Sequence, residues 1–337
     1  MGKAVSLAWC LVGAACGRID FDVVSTGDAP GDAPAPSCAG LAPTCGPAGT
    51  SSCCGSPLVP GGMFFRGYDV GTDGAYPDMM YPATVSDFRL DMYEVTVGRF
   101  RQFVNAGMGT QQNPPAPGVG ARTLNGLADQ GGWDASWNGN LTVDSAALVA
   151  AVKCYPQHQT WTDVPGANEN LAMNCITWYE AMAFCAWDGG FLPTEAEWNY
   201  AAAGGSEQRA YPWSTPASSL VLDCSYANYY DNLAGRPCAN PPNGGVNAVG
   251  SESPNGDGKW GQTDLLGNVY EWTLDWYATP YSNPCSDCAD LTVAEYRVFR
   301  GCSYNCGGFN LRGAIRSLDA PTWRYYEQGV RCARRAP

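Results

Sequence analysis

Sixteen cysteines and a single histidine, His158, delimit the chemistry open to this chain. One imidazole excludes multi-histidine zinc or iron sites and disfavours a histidine-centred triad. Thiols are the abundant reactive group, and they can ligate a soft metal or close disulfides. Cys285-Ser-Asp-Cys288 is the one Cys-x-x-Cys pair. Such a pair exchanges disulfides when its first thiol caps a helix. This one lies in a Pro/Asn/Asp loop, so a loop disulfide is expected. Cys154 with Cys175, and Cys224 with Cys238, are further candidate pairs. Among hard ligands, the segment from Asp264 through Asn268 to Glu271 gathers side-chain oxygens and turn carbonyls in a short span, a cage that calcium accepts. The competing reading pairs Glu271 with an arginine and has Asp264 cap a turn. His158 sits in Tyr-Pro-Gln-His-Gln-Thr and reads as a solvated loop residue.

Few regular elements are available to position these groups. Phe88 to Val95 alternates like a strand, and Thr96 can cap a helix whose Val97, Phe100, Phe103 and Val104 share a face before Gly107 ends it. Thr177 with Glu180, and Thr194 with Glu197, have capping-box spacing. They predict helices running to Asp188 and to Gly204-Gly205, the first with Trp178, Ala181, Met182 and Cys185 on its inner side. A structural task for Glu180 and Glu197 argues against either as a catalytic acid, and Glu195 is given no such role. The remainder reads as short strands and long Gly/Pro/Asn turns, an α+β chain braced by disulfides.

Composition narrows the class. The chain has 337 residues, a formal charge of −13 and only 15% charged residues, with 41 glycines and 12 tryptophans. That balance excludes a phosphate-backbone binder, which needs Lys/Arg clusters. The thiol content fits an oxidising compartment. Lys3 precedes an apolar run, Ala4 to Ala15, of about twelve residues, too short to cross a bilayer. It ends in Gly13-Ala14-Ala15-Cys16, which resembles the lipobox of bacterial lipoproteins and implies a signal peptide over 1–16 with a lipid on Cys16. The expected location is the bacterial cell envelope, at the outer membrane or cell surface, with simple secretion as the alternative. Residues 17–37 read as a disordered tether. Residues 38–58, holding Cys38, Cys45, Cys53 and Cys54, read as a small stapled cap, and 59–337 as one domain.

Within 59–337, several segments together resemble the sulfatase-modifying-factor family, that of the formylglycine-generating enzymes. They are Met173 to Trp198 with its Leu-Pro-Thr-Glu-Ala-Glu-Trp string, Tyr211-Pro-Trp213, Leu266-Gly-Asn-Val-Tyr-Glu-Trp272, Arg300-Gly-Cys-Ser-Tyr304, Arg312 to Arg316, and Gly329-Val-Arg-Cys332. The resemblance implies a fold related to C-type lectins. It implies a Cys185–Cys332 disulfide and calcium held by the Asp264 and Glu271 carboxylates with the Leu265, Gly267 and Val269 carbonyls. A second calcium would use Asn228 and the Tyr229 carbonyl, although no partner aspartate is found in the Asn240 to Asn247 loop. Arg312 and Arg316 are expected to pair with buried carboxylates. The family branch that uses histidine-bound iron does not fit a chain lacking those histidines.

The aerobic enzymes of the family use two cysteines to hold copper(I) while oxygen converts a sulfatase cysteine to formylglycine. Thiolates suit a soft monovalent ion. The first family cysteine corresponds to Cys306. The second corresponds to Leu311, or to Gly308 if a short deletion is allowed, and neither is a thiol. Cys302 stands where the family has glycine. In an extended chain Cys302 and Cys306 would lie about 13 Å apart, too far to share one copper without a bend. The alternative makes each half of a structural disulfide. Two functions follow as expectations. One is an exported oxidase acting on a sulfatase-type peptide, with copper requiring a second thiol near Cys306. The other is a non-catalytic, lectin-like module binding a peptide, glycan or protein, reaching a membrane only through its lipid anchor.

Overall fold

The computed structural model describes residues 35–238 and 245–337; the expected signal peptide, Cys16 and most of the tether lie outside them. Among the described residues the architecture is mixed α+β, with four α-helices and fourteen strands, most of two to four residues. In chain order the strands are β1 (Leu58–Val59), β2 (Gly62–Phe65), β3 (Pro82–Val85), β4 (Phe88–Leu90), β5 (Arg122–Leu124), β6 (Leu127–Gln130), β7 (Tyr230–Asp231), β8 (Arg236–Pro237), β9 (Tyr270–Trp276), β10 (Cys285–Ser286), β11 (Arg297–Arg300), β12 (Ser317–Asp319), β13 (Gln328–Gly329) and β14 (Ala333–Arg335). The helices are α1 (Val97–Asn105), α2 (Ser145–Ala151), α3 (Trp178–Trp187) and α4 (Glu195–Ala202).

The largest sheet runs β12-β11-β9-β13 and supports the site. Its longest strand, β9, is buried at every position after Tyr270, as expected of a strand covered on both faces. Arg300 at the end of β11 lies opposite Glu271 on β9, and Gly329 of β13 flanks Glu271 on the other side. Consequently the Leu-Gly-Asn-x-x-Glu-Trp segment, the Arg-Gly-Cys-Ser segment and the C-terminal Gly-Val-Arg-Cys run converge at one sheet end. No helix among the described residues is long and apolar enough to cross a membrane.

Three helices start where the caps place them. Thr96, Thr177 and Thr194 each accept the backbone N–H three residues on, and Glu180 and Glu197 complete the two capping boxes. The α1 stripe is buried and stacks on α3, with Phe100 and Phe184 rings 5.7 Å apart. The fourth helix, α2, has a signal that patterning alone did not single out: Asp144 accepts the Ala147 N–H at 2.8 Å ahead of an alanine-rich run. The strand expected over Phe88 to Val95 stops at Leu90. There the Asp91 carboxylate is turned to Arg99 and Arg334, while its N–H still donates to the Cys332 carbonyl at 2.9 Å.

The N-terminal staple is bolted to the body. Cys38 bonds Cys54 and Cys45 bonds Cys53. Ser37, placed by the sequence in the tether, is wholly buried: its N–H donates to Asp188 and its hydroxyl accepts from Arg99. The buried Arg99 needs these partners beside Asp91 and Asp188, and that need orders the chain back to this point.

Candidate functional site

The Cys302–Cys306 loop forms where β11 runs out. Gly301 has φ +93° and Cys302 φ +67°, two successive left-handed residues that reverse the chain. A Cβ on Gly301 would lie 2.9 Å from the Leu265 carbonyl oxygen, so that position admits no side chain. The left-handed φ at 302 is a backbone conformation that glycine adopts without strain. A turn follows, with the Cys306 N–H donating to the Ser303 carbonyl at 3.0 Å and the Asn305 N–H to the Ser303 hydroxyl. It brings the two Cα atoms to 5.9 Å, and the sulfurs are bonded. The extended geometry that would have held them about 13 Å apart is thereby overturned, because the turn closes the loop. The Ser303 hydroxyl and the Asn305 amide both donate to Glu327, anchoring the turn to the segment before β13.

All fourteen cysteines of the described residues are bonded in seven pairs. Cys185 joins Cys332 across 147 residues, with both ends at 0% exposure. Cys154–Cys175, Cys224–Cys238 and Cys285–Cys288 account for the pairs suggested by position.

Two clefts open beside the Cys302–Cys306 loop. One, of about 280 Å³, is lined by Tyr270, Gly301, Cys302, Asn310, Arg312, Ile315, Arg316 and Ser317. The other, of about 400 Å³, has walls of Tyr76, Tyr211, Leu220, Leu222, Tyr229 and Phe309, with Asp73, Asp231 and Arg312 at its polar edge. Arg312 is common to both. Its fork holds Asp69 at 3.0 and 3.1 Å and reaches Asp73 at 2.9 Å, while Arg316 grips Glu195 at 2.6 and 2.7 Å. Both arginines pair with carboxylates, as expected. Glu180 is likewise taken by Arg324 and Glu197 by Arg122.

The copper donor set is not met in this state. Cys306 is bonded to Cys302, Leu311 is fully buried, and Gly308 opens a short 3-10 turn. A disulfide sulfur has no thiolate charge to give copper(I).

Calcium at Asp264 and Glu271 fares no better. Both Glu271 oxygens are within 3.1 Å of the Arg331 fork, and the Trp198 indole N–H donates to one of them at 2.7 Å. Glu271 thus has the arginine partner that the competing reading gave it. Asp264 accepts from the Gly250 N–H at 2.6 Å and the Thr263 hydroxyl at 2.8 Å, a turn-stabilising role. The Leu265 carbonyl faces Gly301, Gly267 packs against the Asn228 backbone, and the Val269 N–H donates to Glu94. Asn228 differs. It is 1% exposed, and its Oδ1 has no hydrogen-bond partner among the described residues, as a ligand oxygen would not. The Tyr229 carbonyl accepts from the Cys238 N–H, and most of the loop expected to complete that site lies outside the described residues.

His158 is not the solvated residue expected. Its ring stacks on Tyr326 with centroids 4.5 Å apart, and Nδ1 lies 3.2 Å from the Tyr304 hydroxyl. Long-range packing of Tyr304 and Tyr326 creates this cluster, so spacing carried no sign of it. Sequence reasoning also missed Tyr270, whose hydroxyl sits 2.9 Å from the Cys306 sulfur. Its only local signal was a position inside the Asn-x-x-Glu-Trp string.

The sulfatase-modifying factor enzyme 1-like domain matches residues 42–336, nearly the whole described chain. The chain belongs to this family. Mouse formylglycine-generating enzyme is 30% identical over 82% of the chain and 73% of the mouse protein. Mouse inactive C-alpha-formylglycine-generating enzyme 2 is 28% identical over 82% of the chain and 84% of that protein. The structure of PvdO from Pseudomonas aeruginosa superposes with a TM-score of 0.55 at 22% identity, covering 83% and 93% of the two chains, and it shows the fold. Membership therefore spans proteins named as formylglycine-generating and as inactive, and the local chemistry at Cys306 has to separate the two.

Proposed function

We propose that the protein is a ligand-binding member of the family that does not oxidise a sulfatase cysteine to formylglycine. The observation that carries this reading is the bond between Cys306 and Cys302, with Gly308 and Leu311 where a second copper thiolate would stand. What remains is a disulfide-braced, lectin-like surface with two adjoining clefts. The larger is walled by tyrosines and leucines and edged by Asp73 and Asp231. Such a cleft suits an extended peptide or protein segment, its apolar walls giving area and its few polar groups giving orientation. Seven disulfides are consistent with an exported protein, which a lipid on Cys16 would hold at the cell envelope.

Incubation with copper(I), oxygen and a Cys-x-Pro-x-Arg peptide, read by mass spectrometry beside a two-cysteine relative, tests the proposal. The expected result is an unmodified peptide, both for the native protein and after reduction of its accessible disulfides. Conversion of the cysteine to formylglycine in either arm would overturn it. Peptide and glycan arrays then identify the ligand class.

A further inference from the structure

The two sulfurs of the Cys302–Cys306 bridge have unlike surroundings. Both are nearly buried, Cys302 at 5% and Cys306 at 7% exposure, but Cys302 lines the cleft of about 280 Å³ and Cys306 does not. The Cys306 Sγ, carrying no proton in a disulfide, accepts from the Tyr270 hydroxyl at 2.9 Å and from the Ser303 N–H at 3.3 Å. The Tyr270 hydroxyl stands farther from the Cys302 Sγ, at 3.7 Å. A disulfide sulfur is a weak acceptor and a thiolate a strong one, so both donors strengthen when the bond breaks toward Cys306. Burial and the nearby Glu327 charge push the Tyr270 phenol up to about 12, and it keeps its proton beside a thiolate.

We propose that this pair is a thiol–disulfide exchange site for a dithiol small or extended enough to enter the cleft. A substrate thiolate attacks the Cys302 Sγ, the Cys302–Cys306 bond breaks, and Cys306 departs as a thiolate held by Tyr270 and Ser303. The second substrate thiolate then attacks the substrate sulfur of the mixed disulfide and releases Cys302. The dithiol is oxidised to a disulfide, and two electrons pass to the protein pair, whose thiolates take up the two protons the substrate lost. The step follows from leaving-group stabilisation and does not depend on the peptide-binding proposal. Cys285–Cys288 offers no such entry, since the cavity it borders holds only about 10 Å³.

The test titrates the full chain with dithiothreitol under native conditions, alkylates with iodoacetamide and locates the opened pairs by peptide mass spectrometry. Cys302–Cys306 is expected to open while the buried Cys185–Cys332 bridge stays closed. In the opened protein the pH midpoint for alkylating Cys306 should fall about one unit below that of glutathione alkylated in the same solution. Tyr270→Phe should raise that midpoint and slow opening about tenfold. Ellman's reagent should form a mixed disulfide on Cys302 in Cys306→Ser faster than on Cys306 in Cys302→Ser. The proposal fails if the bridge stays closed at reductant levels that open Cys185–Cys332. It fails equally if Cys306 titrates level with glutathione, a measurement on the unsubstituted protein that stands even where a variant does not fold.

Discussion

The Glu271 carboxylate sits in the fork of Arg331, with Nε at 3.0 Å and Nη2 at 2.8 Å, and neither side chain reaches solvent. Arg331 also donates to the carbonyls of Asp91, Met92 and Thr263, so one guanidinium ties β9 to three loop carbonyls. The pair makes the Asn-x-x-Glu-Trp segment an internal clamp.

Replacing Arg331 with Met leaves Glu271 buried without its partner. The expected cost is about 3–5 kcal/mol, because removing one member of a buried pair strands the other charge. Urea unfolding measures it. Arg331→Met combined with Glu271→Leu should recover most of the loss, and a double variant as unstable as the single would show that the carbonyl contacts matter more.

Stability should fall as pH rises toward 8. Burial and the Asp264 carboxylate push Glu252 from its ordinary 4.5 up to about 8, in spite of the Asn247 amide donating to it. Between those values the folded chain holds a proton that the unfolded chain has lost, so the contribution is complete below 4.5 and disappears through 8. Thermal midpoints across that window should decline, and Glu252→Gln should flatten the decline. An unchanged slope in Glu252→Gln would place the titration elsewhere.

The Cys185–Cys332 bridge closes the longest loop in the described chain and lies in the core. Its removal as Cys185→Ala/Cys332→Ala should cost about 2–5 kcal/mol and lower the yield of folded protein. Denaturant midpoints compared with Cys285→Ala/Cys288→Ala, which opens a loop with a sequence separation of 3, test the dependence on loop length. A larger loss from the short loop would contradict it.

Thr194→Ala removes the side chain that accepts the Glu197 N–H at 3.1 Å. A loss of about 0.5–2 kcal/mol is expected from a missing N-cap, read by chemical denaturation. Glu197 keeps its Arg122 pair in this variant, so the loss measures the cap hydroxyl alone.

Much of the frame was legible in the chain. Thr-x-x-Glu spacing marks α3 and α4, because a cap and its reciprocal bond involve only four consecutive residues. The α1 stripe is equally local. The same holds for the Cys285–Cys288 bridge, whose partners are three residues apart. His158 and Tyr270 were opaque for the opposite reason. Their partners Tyr326 and Cys306 lie far along the chain; the β9–β11 pairing brings Tyr270 to Cys306, and the Asn174 amide, donating to the carbonyls of both His158 and Tyr326, joins that pair.

The sequence by itself determined that this is a cysteine-rich, histidine-poor family member lacking a thiol at the second copper position, since those are facts of residue type and order. It left open whether Cys302 and Cys306 are free, bonded elsewhere or bonded together. Tertiary structure decided that question. The close approach of Gly301 to Leu265, the left-handed backbone at Cys302 and the Glu327 anchor fold five residues into a turn, and the turn brings the two sulfurs to bonding distance.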